Sequence, residues 1–593
     1  MRERRSVWLP VAMAGLVHRA STAATNAANT FQMTWSGQSY GPDGPWQAVQ
    51  VGIGSNNALV NLYPGGTWGS HILTPQICSN ASLGSICYAE TAGLYDPKLS
   101  ETSNFGRVSV QPSVDYTDGA LQIFGDAPET GIDNWNISNG MFPIGINMAI
   151  HTSSWATLPD GSTYPLTVGS LALGAPGTVN QTFGFGDGEP AFNATLLPGY
   201  LTTEAPSNKI LSSNSYGLHI GSVDPPIPPS LYFGGFDQNR VLGTVSTQQG
   251  VPDSAGSIDL LDIDLSVNSG ASPWSFNSQG GLLAQGNSSM KSQLPVGINS
   301  LAPYLHLPKS TCDAIASHLP VTYQSKYGLY FWNTNDPQYQ KIVSSPSCLG
   351  FTFRVSESSK NFTINVPFSL LNLTLTAPLT DSATSYFPCK AETQTHYQLG
   401  RAFLQAAFIG VNWNGFNGSA AWWLAQAPGP TTPTQLNIQA IANTDTSIPA
   451  SQVDWASTWA DTWTPLSDAA AQSSSAPASP SNTNTNTSNP PVNNSKSSGL
   501  STGAKAGIGV ACGIVGLALI IGAIMFFVRR GRSPGEATPI AEVSGQSHQP
   551  QMQGYAGYVA PPGHTTYYDP PKPPGHQAHE MYSGEQRYEL HSA

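Results

Sequence analysis

Short apolar runs separated by polar turns dominate the chain from about Phe31 to about Pro428. Turns rich in Gly, Pro, Asn and Asp recur at intervals of about ten residues, and several runs alternate apolar and polar positions. Both features are typical of all-β domains. The pattern therefore predicts a β-rich domain whose strands include WQAVQVGIG, ALVNLY, GALQIFG, SLYFGGF, SIDLLDIDL, FTFRV and NFTINVPFSLLNLTL.

Helical periodicity is scarce in the same region. The segment STCDAIASHL after Pro308 is a candidate helix, with Ser310 as its N-cap. Roughly 400 residues exceed the size of one β-sandwich. We therefore expect two β-rich lobes, residues 31–250 and 251–428.

The pattern changes after Pro428. Residues 429–503 are rich in Ser, Thr, Pro and Asn, a composition too polar and proline-broken to fold alone, and they predict an extended, O-glycosylated stalk. Within it, Trp455, Trp459 and Trp463 recur at every fourth residue. That spacing favours a short helix packed back on the domain over a membrane-surface anchor.

Both ends of the chain carry targeting signals. Residues 1–23 have the basic start, apolar segment and small residues of a signal peptide. Residues 506–528 are apolar throughout and long enough for one transmembrane helix, and three arginines follow them directly. The positive-inside rule predicts a type I single-pass protein of the plasma membrane or a secretory-pathway membrane, with a cytoplasmic tail, residues 529–593.

The tail contains PPKPPGH, a candidate ligand for SH3 or WW domains. A plain disordered low-complexity tail is the favoured interpretation. The other side of the span carries many Asn-x-Ser/Thr sequons, which fits an external domain. Those in the predicted domain are Asn80, Asn136, Asn180, Asn193, Asn287, Asn361, Asn372 and Asn417.

Charge and cysteine content narrow the possible functions. The formal net charge is −12 and there is no basic stripe, which argues against a nucleic-acid partner. Neither CxxC nor HExxH occurs, so we expect no metal and no cofactor. In an oxidising compartment Cys78 and Cys87 would pair. A second bridge would form among three cysteines, with Cys348–Cys389 as the first choice and Cys312 as the alternative partner.

Five stretches along the chain carry a family resemblance. They are WQAVQVGIGSNNALVNLYPGGTW, SVDYTDGALQIFG, NSYGLHIGSVDPPIPPSLYFGGFDQNRVLG, LPVGINSLAPYLHLP and YQLGRAFLQAAFIGVNWN. In this order they resemble the opening hairpin, the flap, the end of the first lobe, the second catalytic turn and the closing strand of pepsin-like aspartic peptidases, in particular the fungal membrane-anchored branch. The resemblance implies a bilobal β-rich fold in which each lobe gives one Asp to a shared cleft.

The residues at the two catalytic positions depart from that family. The alignment places Pro64 and Asn299 where the aspartates should stand, and the chain contains neither Asp-Thr-Gly nor Asp-Ser-Gly. No Asp lies between Asp43 and Asp96, and Glu90 is the one acid in that gap. The mechanism needs two carboxyls that share a proton, and pepsin is the standard example of such a pair. We therefore predict a fold without catalytic residues.

Three other residues are candidates for a binding cleft. Tyr116 and Asp118 fall in the predicted flap, where Asp118 is equally well explained as a hairpin-turn residue. His306 follows the degenerate second turn and is a candidate cleft residue, whereas His219 is expected to be an ordinary packed or surface histidine.

The favoured hypothesis is a cell-surface glycoprotein whose pepsin-like domain is a binding or sensing module. Its expected partner is an extended peptide or a cell-wall glycan in the interlobe cleft. One alternative is a membrane-anchored aspartic endopeptidase with displaced acids, among which Glu90 is a candidate. The other is a structural wall or adhesion glycoprotein.

Overall fold

The computed structural model describes residues 29–79, 86–106, 123–125, 128–178, 180–185, 192–204, 210–252, 258–288, 290, 292–355, 360–392 and 397–467. These residues form mainly β-sheet with few helices, which confirms the all-β class. Within the described ranges, no helix combines the length and apolar character needed to cross a bilayer. The predicted signal peptide, membrane span and tail lie outside these ranges.

Nineteen strands precede residue 250. They are β1 (Phe31–Gln32), β2 (Trp35–Tyr40), β3 (Trp46–Ile53), β4 (Ala58–Pro64), β5 (Ser70–Leu73), β6 (Asn104–Phe105), β7 (Ile123–Gly125), β8 (Glu129–Asp133), β9 (Trp135–Asn136), β10 (Ile146–His151), β11 (Ser154–Thr157), β12 (Thr163–Pro165), β13 (Gly169–Leu171), β14 (Thr182–Phe185), β15 (Phe192–Thr195), β16 (Ser215–His219), β17 (Ser230–Phe233), β18 (Gly235–Asp237) and β19 (Leu242–Gln249).

Fifteen strands follow. They are β20 (Ile258–Val267), β21 (Ser278–Gln279), β22 (Leu294–Ile298), β23 (Leu305–Pro308), β24 (Val321–Gln324), β25 (Leu329–Trp332), β26 (Ser347–Arg354), β27 (Asn361–Pro367), β28 (Leu373–Leu375), β29 (Thr384–Phe387), β30 (Cys389–Glu392), β31 (Gln398–Leu399), β32 (Ala407–Asn412), β33 (Ala421–Gln426) and β34 (Ile438–Ala440).

The helices are short. The α-helices are α1 (Leu197–Gly199), which continues into a π-helical turn (Tyr200–Glu204), α2 (Lys309–Ala316), α3 (Pro337–Ser344) and α4 (Arg401–Leu404). Single 3₁₀ turns cover Pro75–Ser79, Tyr88–Ala92, Pro97–Leu99, Ser138–Gly140, Gln238–Arg240, Phe368–Leu371, Phe416–Gly418 and Ala456–Trp459.

Three large sheets organise these strands. Eleven strands of the N-terminal half (residues 29–252) form one sheet, and eight strands of the C-terminal half (residues 258–428) form another. A six-stranded sheet in the order β1-β17-β16-β32-β33-β19 takes strands from both halves. The predicted lobe boundary falls between β19 and β20, where the chain leaves this shared sheet.

The predicted helix after Pro308 is confirmed as α2, but its predicted cap is wrong. Pro308 is the N-cap residue and provides no side-chain cap, and Ser310 lies inside the helix. Because the helix begins directly at the end of β23, there is no room for a polar capping residue before it.

The predicted stalk begins too early. Residues 429–467, which we call the C-terminal strap, pack on the domain: β34 pairs with β18, and Ile441, Ile448 and Trp459 are buried. The 3₁₀ turn Ala456–Trp459 confirms the short helix packed on the domain. The polar composition of residues 429–467 does not reveal this packing. A few apolar residues are enough to hold such a segment when they are buried against an existing core.

The second disulfide joins Cys312 to Cys389, so the first choice, Cys348–Cys389, is wrong. Helix α2 follows β23, and β23 pairs in parallel with β30, which brings the two Cα atoms to 5.8 Å. Cys348 lies buried in β26 as a free thiol, and burial raises its pKa. The predicted Cys78–Cys87 bridge is confirmed.

Candidate functional site

The two halves repeat one local arrangement. In the N-terminal half β13 lies between β4 and β5, parallel to the first and antiparallel to the second. In the C-terminal half β31 lies in the same way between β22 and β23. The ends of β4 and β22 therefore lie in equivalent places. The two positions at which the sequence predicts missing catalytic acids are there: Pro64 is the last residue of β4, and Asn299 is the first residue after β22.

The loops at the ends of β4 and β22 meet at a contact that we call the junction, formed by residues 64–69 and 299–304. The Ser300 hydroxyl donates a hydrogen bond to the Pro64 carbonyl oxygen, at 2.7 Å. A Cβ at Gly65 would overlap the same hydroxyl oxygen, and Gly66 has a φ of +80°. Glycine at both positions lets the two loops approach this closely.

Asn299 is buried, and its side-chain amide forms one hydrogen bond within its own loop and one to Gln398 of β31. Its side-chain Oδ1 accepts from the Leu301 backbone N–H at 2.9 Å, and its Nδ2 donates to Gln398 Oε1 at 3.1 Å. An amide holds the turn in this way but cannot exchange a proton near neutral pH. Opposite it, Pro64 offers the junction only its backbone carbonyl.

A buried arginine contacts residues on both sides of the junction. Arg401, at the start of α4, donates through Nη1 to the carbonyl oxygens of Leu301 (2.8 Å) and Ser300 (3.3 Å). Its guanidinium lies 4.1 Å from the ring centre of Tyr63 and 5.0 Å from that of Trp46. Cation–π contacts and charge-assisted hydrogen bonds of this kind are strong when desolvated. Sequence reasoning did not single out Arg401.

Asp43 is the counter-ion of this arginine. Its Oδ2 lies 3.8 Å from Arg401 Nη2, and its Oδ1 accepts from Trp46 Nε1 at 2.8 Å. Tyr386 donates to its backbone carbonyl at 2.5 Å. Burial, with a smaller contribution from the Asp43 charge, raises the pKa values of Tyr304 and Tyr386 well above normal. These two phenols therefore stay protonated and uncharged beside the ion pair of Arg401 and Asp43.

Little space remains at the junction. Two cavities flank Ser300, one of about 10 Å³ beside Arg401 and one of about 20 Å³ beside Asn299. Each can hold about one water molecule. The first also contacts Ser222, and the second contacts Trp413 at the shared sheet.

The remaining carboxyls that bear on catalysis lie elsewhere. Glu90 is exposed on the 3₁₀ turn Tyr88–Ala92 and lines neither junction cavity. Burial raises the pKa of Asp264, but this residue lies on β20 opposite Gly350 of β26. Among the described residues, the single cluster of metal-ligand side chains is Cys78, Cys87 and Glu90, and both its sulfurs are bonded in a disulfide.

The other residues predicted to line the cleft, and His219, lie in different parts of the chain. Tyr116 and Asp118 lie outside the described residues. His306 is fully buried in β23, with its ring 5.7 Å from that of Tyr304, so its prediction as a cleft residue is wrong. His219 is packed as expected, hydrogen-bonded through Nε2 to the Gln405 carbonyl, and burial lowers its pKa to about 3.

Sequence reasoning missed a buried Ser-His-His chain. His71 Nδ1 lies 2.8 Å from His151 Nε2, and His151 Nδ1 lies 2.8 Å from Ser154 Oγ. The parallel pairing of β5 with β10 creates this contact between residues 80 positions apart. All three side chains are at least 95% buried, so no substrate carbonyl reaches the hydroxyl, and burial lowers the pKa of His151 to about 3.

None of the described sequon asparagines is buried. Asn180, Asn193, Asn361 and Asn417 are exposed, while the other three described ones, Asn136, Asn287 and Asn372, are half-buried. Asn80 lies outside the described residues. The four exposed positions leave room for attached glycans.

No protein-family model and no curated protein match the chain.

Proposed function

We propose that this chain is a single-pass cell-surface glycoprotein whose external domain has a bilobal pepsin-like fold without catalytic acids and acts as a binding or sensing module. The repeated arrangements β4-β13-β5 and β22-β31-β23, and the sheet shared by both halves, support the fold assignment. The leader, the apolar stretch 506–528 and the distribution of sequons support the location.

One observation carries the functional part of the proposal. The two loops that would present a catalytic pair meet through Pro64 and Ser300, and the side-chain amide of Asn299 is bonded to the Leu301 backbone and to Gln398. A peptidase of this design needs one carboxylate as base toward water and one carboxylic acid toward the scissile carbonyl. Each such group contributes roughly 10²- to 10⁴-fold in rate. Without these two groups, the domain binds an extended peptide or a glycan in the interlobe cleft and releases it without cleaving it.

The test is to incubate the purified full-length protein with a denatured, unstructured protein at pH 2 to 7 and analyse the mixture by mass spectrometry. We expect the substrate to stay intact at every pH, with and without a pepstatin-type inhibitor. Peptide products that the inhibitor suppresses would contradict the proposal and favour an endopeptidase with displaced acids. The inhibitor separates this activity from contaminating peptidases of other classes.

A further inference from the structure

A second concavity lies away from the junction, on the N-terminal half. It has a volume of about 790 Å³ and we call it the side groove. Its floor is formed by Gln50 of β3 and by Leu59 and Asn61 of β4. One wall is β2 and the other is the chain from Glu90 to Gly93. This volume is in the range of small-molecule binding sites, whereas the junction cavities hold single waters.

A β-bulge opens the wall formed by β2. Trp35 pairs with Val49 and Ser39 pairs with Gln47, so four steps along β2 match two steps along β3. The extra residues bend β2 away from its partner. Side chains of both strand faces thereby become available at the groove, which a regular edge strand would not offer.

The floor is built from amides. Gln50 and Asn61 are cross-strand neighbours, and Gln50 Nε2 donates to Asn61 Oδ1 at 3.4 Å. Asn61 is 8% exposed and is fixed by a hydrogen bond from its Nδ2 to the Ala92 carbonyl, at 3.1 Å. Each amide can donate and accept two hydrogen bonds, so both keep capacity for a ligand.

Hydroxyls and an indole complete the lining. Ser36 Oγ and Tyr40 OH lie 2.6 Å apart along one wall, and Thr91 is on the other. Trp35 Nε1 is buried and has no hydrogen-bond partner among the described residues. Aromatic faces flanked by amides and hydroxyls suit a ligand that has both C–H and O–H surfaces.

The charge of the side groove favours neutral ligands over anionic ones. Among the described residues that line it, Glu90 is the one charged residue and none is Lys or Arg. An anionic ligand would meet this carboxylate and a chain of net charge −12 without a compensating cation. The predominance of polar groups disfavours a lipid. We propose that the side groove binds a neutral oligosaccharide, independently of the junction and of any ligand in the interlobe cleft.

Calorimetric titration of the full-length protein with three neutral hexasaccharides tests this proposal. Chitohexaose, laminarihexaose and mannohexaose are the probes, and a hexamer of galacturonic acid and an unstructured peptide are the competing ligand classes. We expect at least one neutral hexasaccharide to bind, and neither the acidic hexamer nor the peptide to compete with it. Absence of binding by all three neutral sugars, or preferred binding of the acidic hexamer or the peptide, would overturn the proposal.

Two variants locate the bound sugar. Leu59→Trp fills the groove from a side chain that is 56% exposed, and Gln50→Ala removes floor hydrogen bonds. Each should weaken binding by about 10-fold or more, as expected for lost hydrogen bonds or blocked contact. The matched control is Leu99→Trp, at a residue that is 66% exposed and outside the groove, which should change affinity less than about two-fold. Equal binding by Leu59→Trp and Leu99→Trp proteins of unchanged unfolding midpoint would overturn the assignment.

Discussion

The junction and the side groove differ in what their polar groups do. At the junction, Ser300, Asn299 and Arg401 form hydrogen bonds to other groups of the protein, and the two cavities beside them hold about one water each. In the side groove, Gln50 and Asn61 keep hydrogen-bonding capacity beside about 790 Å³ of open volume. The comparison indicates that the contacts at the positions predicted for chemistry stabilise the fold, and that the side groove offers more space for a ligand than the two junction cavities do. Junction substitutions should therefore reduce stability, and groove substitutions should reduce binding.

The largest effect is expected for Arg401→Met. Methionine retains much of the packing volume but leaves Asp43 buried without its counter-ion and removes the hydrogen bonds to Leu301 and Ser300. Breaking a buried ion pair typically costs about 3 to 5 kcal/mol. We expect a loss of that size in the free energy of unfolding, measured by chemical denaturation at pH 7.

Arg354→Met is the matched control. Arg354 is exposed at the end of β26, so its replacement should change stability by less than about 0.5 kcal/mol. Similar losses for the two variants would show that Arg401 has no special role at the junction.

Acidification is expected to have the next largest effect. Burial lowers the pKa values of His151 and His219 to about 3, from 6.5 in an unstructured chain. Below pH 6.5 the unfolded chain binds protons that the folded chain does not, so stability falls with pH down to about 3. Each histidine contributes up to roughly 1.4 kcal/mol per pH unit.

Denaturation curves between pH 7 and pH 5 measure this slope while most carboxyls remain ionised. His219→Gln keeps a donor for the Gln405 carbonyl and should reduce the slope by up to roughly 1.4 kcal/mol per pH unit. A stability that is flat over this range would contradict the assignment of two neutral buried histidines.

A smaller loss is expected for Ser300→Ala. The change removes the hydrogen bond to Pro64 and leaves a carbonyl without that partner, which typically costs about 1 to 2 kcal/mol. The control is Ser382→Ala, at an exposed serine, with an expected change below about 0.5 kcal/mol. If both variants have the same unfolding midpoint, the loops are held together without the Ser300 contact.

The smallest effect on stability is expected in the side groove. Leu59→Ser replaces an exposed side chain on β4 and should change the unfolding free energy by less than about 0.5 kcal/mol. A loss above about 1.5 kcal/mol, measured in the same denaturation experiment, would show that the groove is part of the stabilising core and would remove the contrast with the junction.

Sequence patterns predicted the strands better than the contacts between them. The segment SIDLLDIDL became β20, with Ile258, Leu260, Ile263 and Leu265 buried. Its period of two shifts once, at a bulge between Leu260 and Asp262. Local alternation is enough to predict such a strand, because successive side chains point alternately toward the core and toward solvent.

The contacts of the candidate site depend on distant pairing. Arg401 reaches Asp43 across more than 350 residues, and His71 meets His151 only because β5 pairs with β10. The bridge from Cys312 to Cys389 follows in the same way from the pairing of β23 with β30. No local pattern encodes these pairings. The residue types at Pro64 and Asn299, in contrast, were sufficient to predict that two facing carboxyls are missing there.

The central claim is that the junction cannot activate a water molecule for peptide hydrolysis. Labelling the water with an oxygen isotope tests this claim most directly. The full-length protein and an equimolar unstructured peptide are incubated for a day at pH 3 to 6 in water enriched in ¹⁸O, with and without a pepstatin-type inhibitor. Any hydrolysis places ¹⁸O in a new C-terminal carboxylate, which mass spectrometry detects at low levels. We predict no inhibitor-sensitive label. Incorporation of ¹⁸O that the inhibitor abolishes would contradict the claim that no acid pair faces a substrate.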